Sequence, residues 1–244
     1  MKFEKRSLIR EGKAKILYET DKPSEAILQY FKDDATAFNA QKKGRIEGKG
    51  AINNAISSWL FLHLEKLGIP THFVGKVSDR EMAVRRVEII PVEVVIRNRA
   101  AGGITKRLGI AKGTPFNPPL IEFFYKSDEL GDPLIGETHI AQFKWATPAE
   151  MTRIRELAFS VNDHLRKVFD EIGLELVDFK LEFGKDSAGT IRLADEFTPD
   201  GSRLWDRETG EPMDKDRFRQ DLGGVEEAYE EVYRRLREFF EGKA

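Results

Sequence analysis

The residues best placed to do chemistry lie between Leu174 and Asp195. Val177, Phe179, Leu181 and Phe183 alternate with Asp178, Lys180 and Glu182, the period-two pattern of a strand with one apolar and one charged face. A strand facing solvent would carry the same pattern. The residues that follow favour a site: a turn from Gly184 to Gly189 leads into Ile191 and Leu193, and these alternate into Asp195-Glu196. A hairpin would bring those acids beside Lys180 and Glu182. Carboxylates gathered with a lysine suit magnesium held jointly by protein and nucleotide phosphates, because the ion takes oxygen ligands and keeps part of its shell for phosphate and water. Without the ion such carboxylates repel one another. Pairing Phe183 with Ile191 and Leu181 with Leu193 puts Asp195 on the apolar face. The strand must therefore end or bulge before Asp195 can join Glu182.

Three other stretches carry the right groups. In Glu11-Gly12-Lys13-Ala14-Lys15 the glycine lets backbone approach a ligand, and two lysines one residue apart point the same way from an extended chain. This is neither a Walker loop nor a dinucleotide fingerprint, and a solvated turn explains it as well. Arg97-Asn98-Arg99-Ala100-Ala101-Gly102-Gly103 follows an apolar strand. Guanidinium forks and small residues with free N–H groups make an anion cradle, or simply a surface turn. Asp200-Gly201-Ser202-Arg203-Leu204-Trp205-Asp206, followed by Asp214-Lys215-Asp216-Arg217-Phe218-Arg219, could bring Arg203 to the same cleft. None of His63, His72, His139 or His164 has metal-ligand or triad spacing, and the chain has no cysteine. An inventory of lysines, arginines, glycine turns and carboxylates is what phosphoryl transfer needs, since positioning and charge neutralisation supply most of its catalysis.

Three helices must carry these pieces. Ile52, Ile56, Trp59, Leu60, His63 and Leu67 form one stripe, stopped by Gly68 and Pro70. Thr147-Pro148-Ala149-Glu150 is a capping box opening a stripe of Met151, Ile154, Leu157, Val161, Leu165, Val168 and Ile172. Val225, Tyr229, Val232, Leu236 and Phe239 form the third. Strands are expected at 16–18, 26–31, 72–74 and 92–96. They cluster before helices rather than alternating with them, which points to an α+β fold with mainly antiparallel sheets in two lobes. The charged break Asp79-Arg80-Glu81 divides the chain near residue 84, into 1–84 and 85–244. The proline-rich region from Gly109 to Trp145 reads as long connections.

With 244 residues and a formal net charge of −2, the chain lacks the basic surplus of a nonspecific nucleic-acid binder. Absence of cysteine excludes a disulfide scaffold and a thiol nucleophile. No apolar run approaches the ~18 residues of a membrane helix, and Leu8-Ile9 is too short for the core of a signal peptide. The expected compartment is the cytoplasm.

Val177-Asp178-Phe179-Lys180-Leu181-Glu182-Phe183-Gly184 and Pro91-Val92-Glu93-Val94-Val95-Ile96-Arg97-Asn98-Arg99-Ala100-Ala101-Gly102 resemble the two signature segments of the SAICAR synthetase family (phosphoribosylaminoimidazole-succinocarboxamide synthases). The Gly12 to Lys15 element, the Asp195 to Asp206 stretch and Asp214 to Gln220 resemble it too, in the same order over essentially the whole chain. The resemblance implies an ATP-dependent ligase joining L-aspartate to 4-carboxy-5-aminoimidazole ribotide in purine synthesis. With it come Mg2+, an ATP cleft between a small β-rich lobe and a larger α+β lobe, and a homo-oligomer, a dimer foremost. Carried over by position, Gly12, Lys13, Ala14 and Lys15 would meet ATP, Glu182 and Asp195 the nucleotide and Mg2+, and Lys180 the substrate carboxylate. Arg97, Gly103 and Arg203 would hold the ribotide phosphate, and Arg219 would lie near the acidic substrates. Two positions depart from the family: Gly103 replaces a usual serine, and Asn39 an aspartate of some members. These departures keep a nonenzymatic nucleotide-binding protein open as an alternative, and a small-molecule kinase would use the same groups.

Overall fold

The computed structural model describes residues 2–37 and 42–242; Asn39 lies outside them. In chain order the elements begin with β1 (Lys5–Glu11), β2 (Lys15–Thr20), β3 (Ile27–Phe31), β4 (Asp34–Ala37), β5 (Lys42–Arg45), α1 (Lys49–Lys66), β6 (Phe73–Lys76) and β7 (Glu81–Val84). Next come β8 (Glu88–Arg99), α2 (Gly103–Leu108), β9 (Pro115–Tyr125), β10 (Leu134–Ile135), α3 (Glu137–Gln142) and α4 (Pro148–Glu171). The chain continues through β11 (Leu174–Lys185), β12 (Ile191–Ala194), β13 (Ser202–Asp206), α5 (Asp216–Arg219) and α6 (Val225–Glu241).

Two antiparallel sheets carry most of this. One has the order β1-β2-β3-β7-β6; the other runs β10-β9-β8-β11-β12, with β13 beside β12 along the same edge of β11. Backbone bonds join the segment before β6 to β12: His72 N donates to Leu193 O at 2.8 Å and Leu193 N to Pro70 O at 2.9 Å. The fold is α+β and mainly antiparallel, as the grouping of strands before helices implies.

The apolar face of β11 explains why the sheet stays put. Val177, Phe179, Leu181 and Phe183 are buried, as is the α4 stripe of Met151, Ile154, Leu157, Val161, Leu165 and Val168, and the two elements pack together. Each such side chain contributes on the order of 1.5–3 kcal/mol. The α4 capping box forms as written, with Glu150 N donating to Thr147 Oγ1 and Thr147 N to Glu150 Oε2. On α1, Ile52, Ile56 and Leu60 are buried, but so are Lys49, Asn53, Asn54, Ser57 and Ser58. That helix is enclosed nearly all round, with a polar side turned inward. One continuous core includes side chains of both sheets and of α1, α4 and α6.

The region from Gly109 to Trp145 is not merely connection. Its Pro115, Pro118 and Pro119 lie in the eleven-residue strand β9. Proline cannot donate to a ladder, so strands tolerate it at bulges. These prolines sit at the shift in register between the pairs Arg97↔Leu120 and Arg99↔Pro115. Among the described residues no helix is long and apolar enough to cross a membrane.

Candidate functional site

The charged face of β11 is flanked by β8, and their register places the groups. Asp178 pairs with Arg97, Lys180 with Val95 and Glu182 with Glu93. Alternate residues share a face, so Asp178, Lys180 and Glu182 line up with Arg97 and Glu93 over a span of about 13 Å. Carboxylates and lysines gather at the Glu182 end, arginines at the Asp178 end.

At the first end Lys180 Nζ lies 2.6 Å from Glu182 Oε1, 2.9 Å from Glu93 Oε1 and 3.9 Å from Asp195 Oδ2. Lys126 Nζ is 2.5 Å from the same Glu182 oxygen. Lys15 donates to Asp195 Oδ1 and stands 3.4 Å from Glu196 Oε1. Asp195 reaches this group because β12 stops at Ala194 and Asp195 takes a left-handed φ of 63°. Aspartate is among the few residues with side chains that adopt such a conformation routinely. The hairpin pairs Phe183 with Leu193 and Lys185 with Ile191. That is two residues from the expected register with the parity unchanged, and the backbone reversal at Asp195 supplies the break that parity requires.

Charge is balanced here by lysines rather than left as mutual repulsion. Burial works against the Lys180 ammonium, yet Glu182, Asp195 and Glu93 outweigh it and hold its pKa well above that of free lysine. Lys15 is raised likewise: burial opposes its charge, and Asp195 and Glu196 prevail. Burial would push Asp195 up, but Lys15, Lys180 and Lys126 hold it far below the carboxylate range. For Glu93 burial wins over Lys180 and the pKa rises. Beside them Glu196 Oε2 is buried with no hydrogen-bond partner among the described residues.

At the other end Arg97 donates from Nε to Glu122 at 2.7 Å and from Nη1 to Asp178 at 2.6 Å. Arg203 Nη1 shares Asp178 at 3.0 Å, and its Nε donates to Asp216 at 2.8 Å. Arg219 Nη1 donates to the second Asp216 oxygen at 2.6 Å. The result is a chain of alternating charge, Glu122–Arg97–Asp178–Arg203–Asp216–Arg219. Gly102, with φ of 62° and ψ of −137°, lies under the Arg203 guanidinium so closely that a β-carbon would stand 2.6 Å from its central carbon. Only glycine fits. Gly103 begins α2, where a β-carbon would make only an ordinary contact, with Arg107 Nη1 at 3.6 Å.

Thus Lys15, Lys180, Glu182 and Asp195 converge, and Arg97, Arg203 and Arg219 form a second group. Lys13 does not join them; it pairs with Asp128 at 2.7 Å on the surface. Gly12 N donates to Lys15 O at 2.8 Å, closing a turn that also contains Ala14. A β-carbon at Gly12 would meet only an ordinary contact, Lys15 O at 3.5 Å, so its own surroundings do not demand glycine. Sequence reasoning missed Glu93 and Lys126. Glu93 is four residues from Arg97 on β8, and strand parity alone puts both on one face. Lys126 had no such signal, because β9 was masked by its prolines. Behind the site Asp200 is buried between Lys49 Nζ at 2.6 Å, Tyr229 Oη at 2.6 Å and Asn53 Nδ2 at 3.2 Å, joining α1 and α6 to the loop that leads into Arg203.

This antiparallel α+β frame sets lysines and carboxylates at one end of a strand face and arginines at the other, groups suited to an enzyme of phosphate- and carboxylate-bearing small molecules. The chain belongs to the SAICAR synthetase family, whose model matches residues 8–236. It is 59% identical over 235 residues to the phosphoribosylaminoimidazole-succinocarboxamide synthase of Novosphingobium aromaticivorans, covering 95% of this chain and 90% of that one. The crystal structure of the synthase of that name from Ehrlichia chaffeensis superposes with a TM-score of 0.92 at 49% identity, over 94% of this chain and 98% of the other. A SAICAR synthetase solved in complex with ADP gives 0.90 at 43% identity, over 94% and 97%.

Proposed function

We infer that the protein is an ATP-dependent carbon–nitrogen ligase of purine biosynthesis, joining L-aspartate to 4-carboxy-5-aminoimidazole ribotide with release of SAICAR, ADP and phosphate. Beside the family membership, one observation carries the assignment: a single strand face has Lys180 and Glu182 at one end and the Arg97–Asp178–Arg203 group at the other. A substrate with a phosphate at one end and a carboxylate to be activated at the other fits that polarity.

In this assignment the ribotide phosphate lies against Arg97 and Arg203, with the Gly103 backbone N–H as a further donor. Its carboxylate reaches Lys180, which lies beside Glu182. ATP occupies the cleft between the sheet of residues 5–84 and the sheet of residues 88–206, the division proposed for the two lobes, with its phosphates toward Lys15 in the Gly12-Lys13-Ala14-Lys15 turn. The imidazole carboxylate attacks the γ-phosphorus and ADP leaves with the bonding pair. The neutral aspartate amine then adds to the acyl carbon, phosphate leaves with its pair, and a proton leaves the nitrogen. Activation by ATP makes a protein nucleophile unnecessary. The lysines act by charge: each already holds a carboxylate and can turn to phosphate oxygens when these arrive, which neutralises the transferring group without reorganising solvent.

The donor set fits Mg2+. Glu182 and Asp195 offer only oxygens, and among the described residues no cluster of three or more His, Asp or Glu side chains forms a metal cage. A cation held there would share its shell with phosphates, as Mg2+ does. When bound it supplies charge neutralisation at the γ-phosphate. Arg219 stands near the acidic substrates. The family resemblance supports a homodimer in the cytoplasm, which sedimentation velocity and fractionation would test. The activity itself is tested by ADP release: release that requires both ribotide and aspartate supports the ligase, and release indifferent to aspartate refutes it.

A further inference from the structure

Asp216 is nearly buried, its side chain 9% exposed, and both of its oxygens are engaged by arginines that the ligase assignment places at different substrates. Oδ2 accepts from Arg203 Nε at 2.8 Å and Oδ1 from Arg219 Nη1 at 2.6 Å. The residue is fixed from behind. Its backbone N–H donates to Asp214 Oδ1 at 2.7 Å, and Asp214 Oδ2 accepts the N–H of Leu204 at 2.8 Å. Asp214, fully buried, thereby pins the start of α5 to β13 next to Arg203. Apart from the bond to Asp216, the Arg219 side chain donates among the described residues only from Nη2 to Asp200 O, at 3.4 Å. Asp216 alone among the described side chains bonds both arginines. A guanidinium held along one edge by a carboxylate keeps its remaining N–H groups aimed in a fixed direction for a second anion.

We propose that Asp216 is a positioning residue that couples the two acidic-substrate ends, aiming Arg203 at the ribotide phosphate and Arg219 at the incoming aspartate from one carboxylate. This rests on the ligase assignment. Asp216→Asn keeps the size but loses the charge, and its amide can accept from one arginine only by presenting N–H groups to the other. Its KM values for ribotide and for aspartate should each rise roughly tenfold, the loss expected of one charge-assisted hydrogen bond, while the KM for ATP stays put. In an Arg203→Ala background the ribotide effect of Asp216→Asn should vanish and the aspartate effect remain, because coupled residues are not additive. Asp216→Glu, which keeps the charge one methylene further out, should fall between wild type and Asp216→Asn, and it decides the matter if Asp216→Asn does not fold. Unchanged KM values in the folded variants overturn the coupling. So does a KM for ATP that rises equally, or a ribotide effect that persists without Arg203, since either marks a general structural loss. Wild-type protein releasing ADP without needing ribotide and aspartate overturns the ligase assignment itself.

Discussion

Gly102→Ala tests the arginine end of the site most directly. Its backbone, at φ 62° and ψ −137°, lies close to a region populated almost solely by glycine, so a side chain there costs about 1–3 kcal/mol. The new methyl would stand 2.6 Å from the Arg203 guanidinium carbon, against an ordinary carbon contact of about 3.5–4.0 Å. Arg203 must therefore retreat by about 1 Å, which its hydrogen bonds to Asp178 and Asp216 cannot both survive. Losing one such charge-assisted bond is worth about 1.5–3 kcal/mol. At about 1.4 kcal/mol per factor of ten, the KM for ribotide should rise about 10- to 150-fold. The strain should lower the melting temperature by about 2–12 °C. Gly109→Ala separates the two effects, since Gly109 has φ of 64° with nothing within 4 Å of the added carbon. It should lose stability and keep its KM. Steady-state ADP release and thermal unfolding of both variants are the assay. A folded Gly102→Ala protein with a wild-type KM for ribotide would falsify the placing of the phosphate at Arg203.

Other perturbations test the remaining parts. Glu182→Gln removes the charge shared by Lys126 and Lys180; turnover should fall at least about 100-fold and the Mg2+ concentration for half-maximal ADP release should rise, whereas activity within twofold of wild type would sink the role. Lys49→Met takes away the ammonium 2.6 Å from buried Asp200 and leaves only Lys215, at 4.0 Å, as a nearby cation; it should destabilise by about 3 kcal/mol, read as a fall of about 6–12 °C in melting temperature, and a smaller loss than that of an exposed lysine variant contradicts it. Burial lowers the His72 pKa to about 3, so the unfolded chain binds a proton below pH 6.5 that the folded chain refuses, and stability is lost as pH falls, at up to about 1.4 kcal/mol per unit. His72→Phe should remove about 2 kcal/mol of the difference in urea stability between pH 6.5 and pH 5; equal pH dependence in both proteins rules the cause out.

Legibility followed period and burial. The α4 and α6 stripes and the two-faced strand β11 read directly, because a 3.6 or 2.0 period leaves a signal wherever one side is apolar and the other polar, although the charged side of β11 is itself largely buried. The polar half of α1 did not: Lys49, Asn53 and Ser57 look solvent-facing by type, and only tertiary contacts such as Lys49 with Asp200 and Ser57 with Phe197 O make them interior. Strand β9 was hidden by prolines that its bulge tolerates. Lys180, Glu182 and Asp195 were legible because strand parity and a hairpin turn bring them together locally; Lys15 and Arg97 meet their partners Asp195 and Asp178 only across strands far apart in sequence, and it was the family resemblance that pointed to them and to Arg203. Asp216 joining Arg203 to Arg219 depends on how α5 docks beside β13, which no local pattern encodes.

The near-zero net charge also takes a local meaning. Each cation that the ligase assignment uses, except Lys13 at the surface, already has a carboxylate within 3 Å inside the fold: Lys15 has Asp195, Lys180 has Glu182, Arg97 and Arg203 have Asp178, and Arg219 has Asp216. Unpaired, such half-buried cations would repel one another and pay for desolvation with nothing gained. Paired, they stay charged and aimed, and each guanidinium keeps N–H groups for a second anion. On the ligase assignment, such a site would bind small dianions by adding one more partner to groups already neutralised. It therefore needs no basic surface to draw them in, and a polyanion would find too little unbalanced charge to hold it.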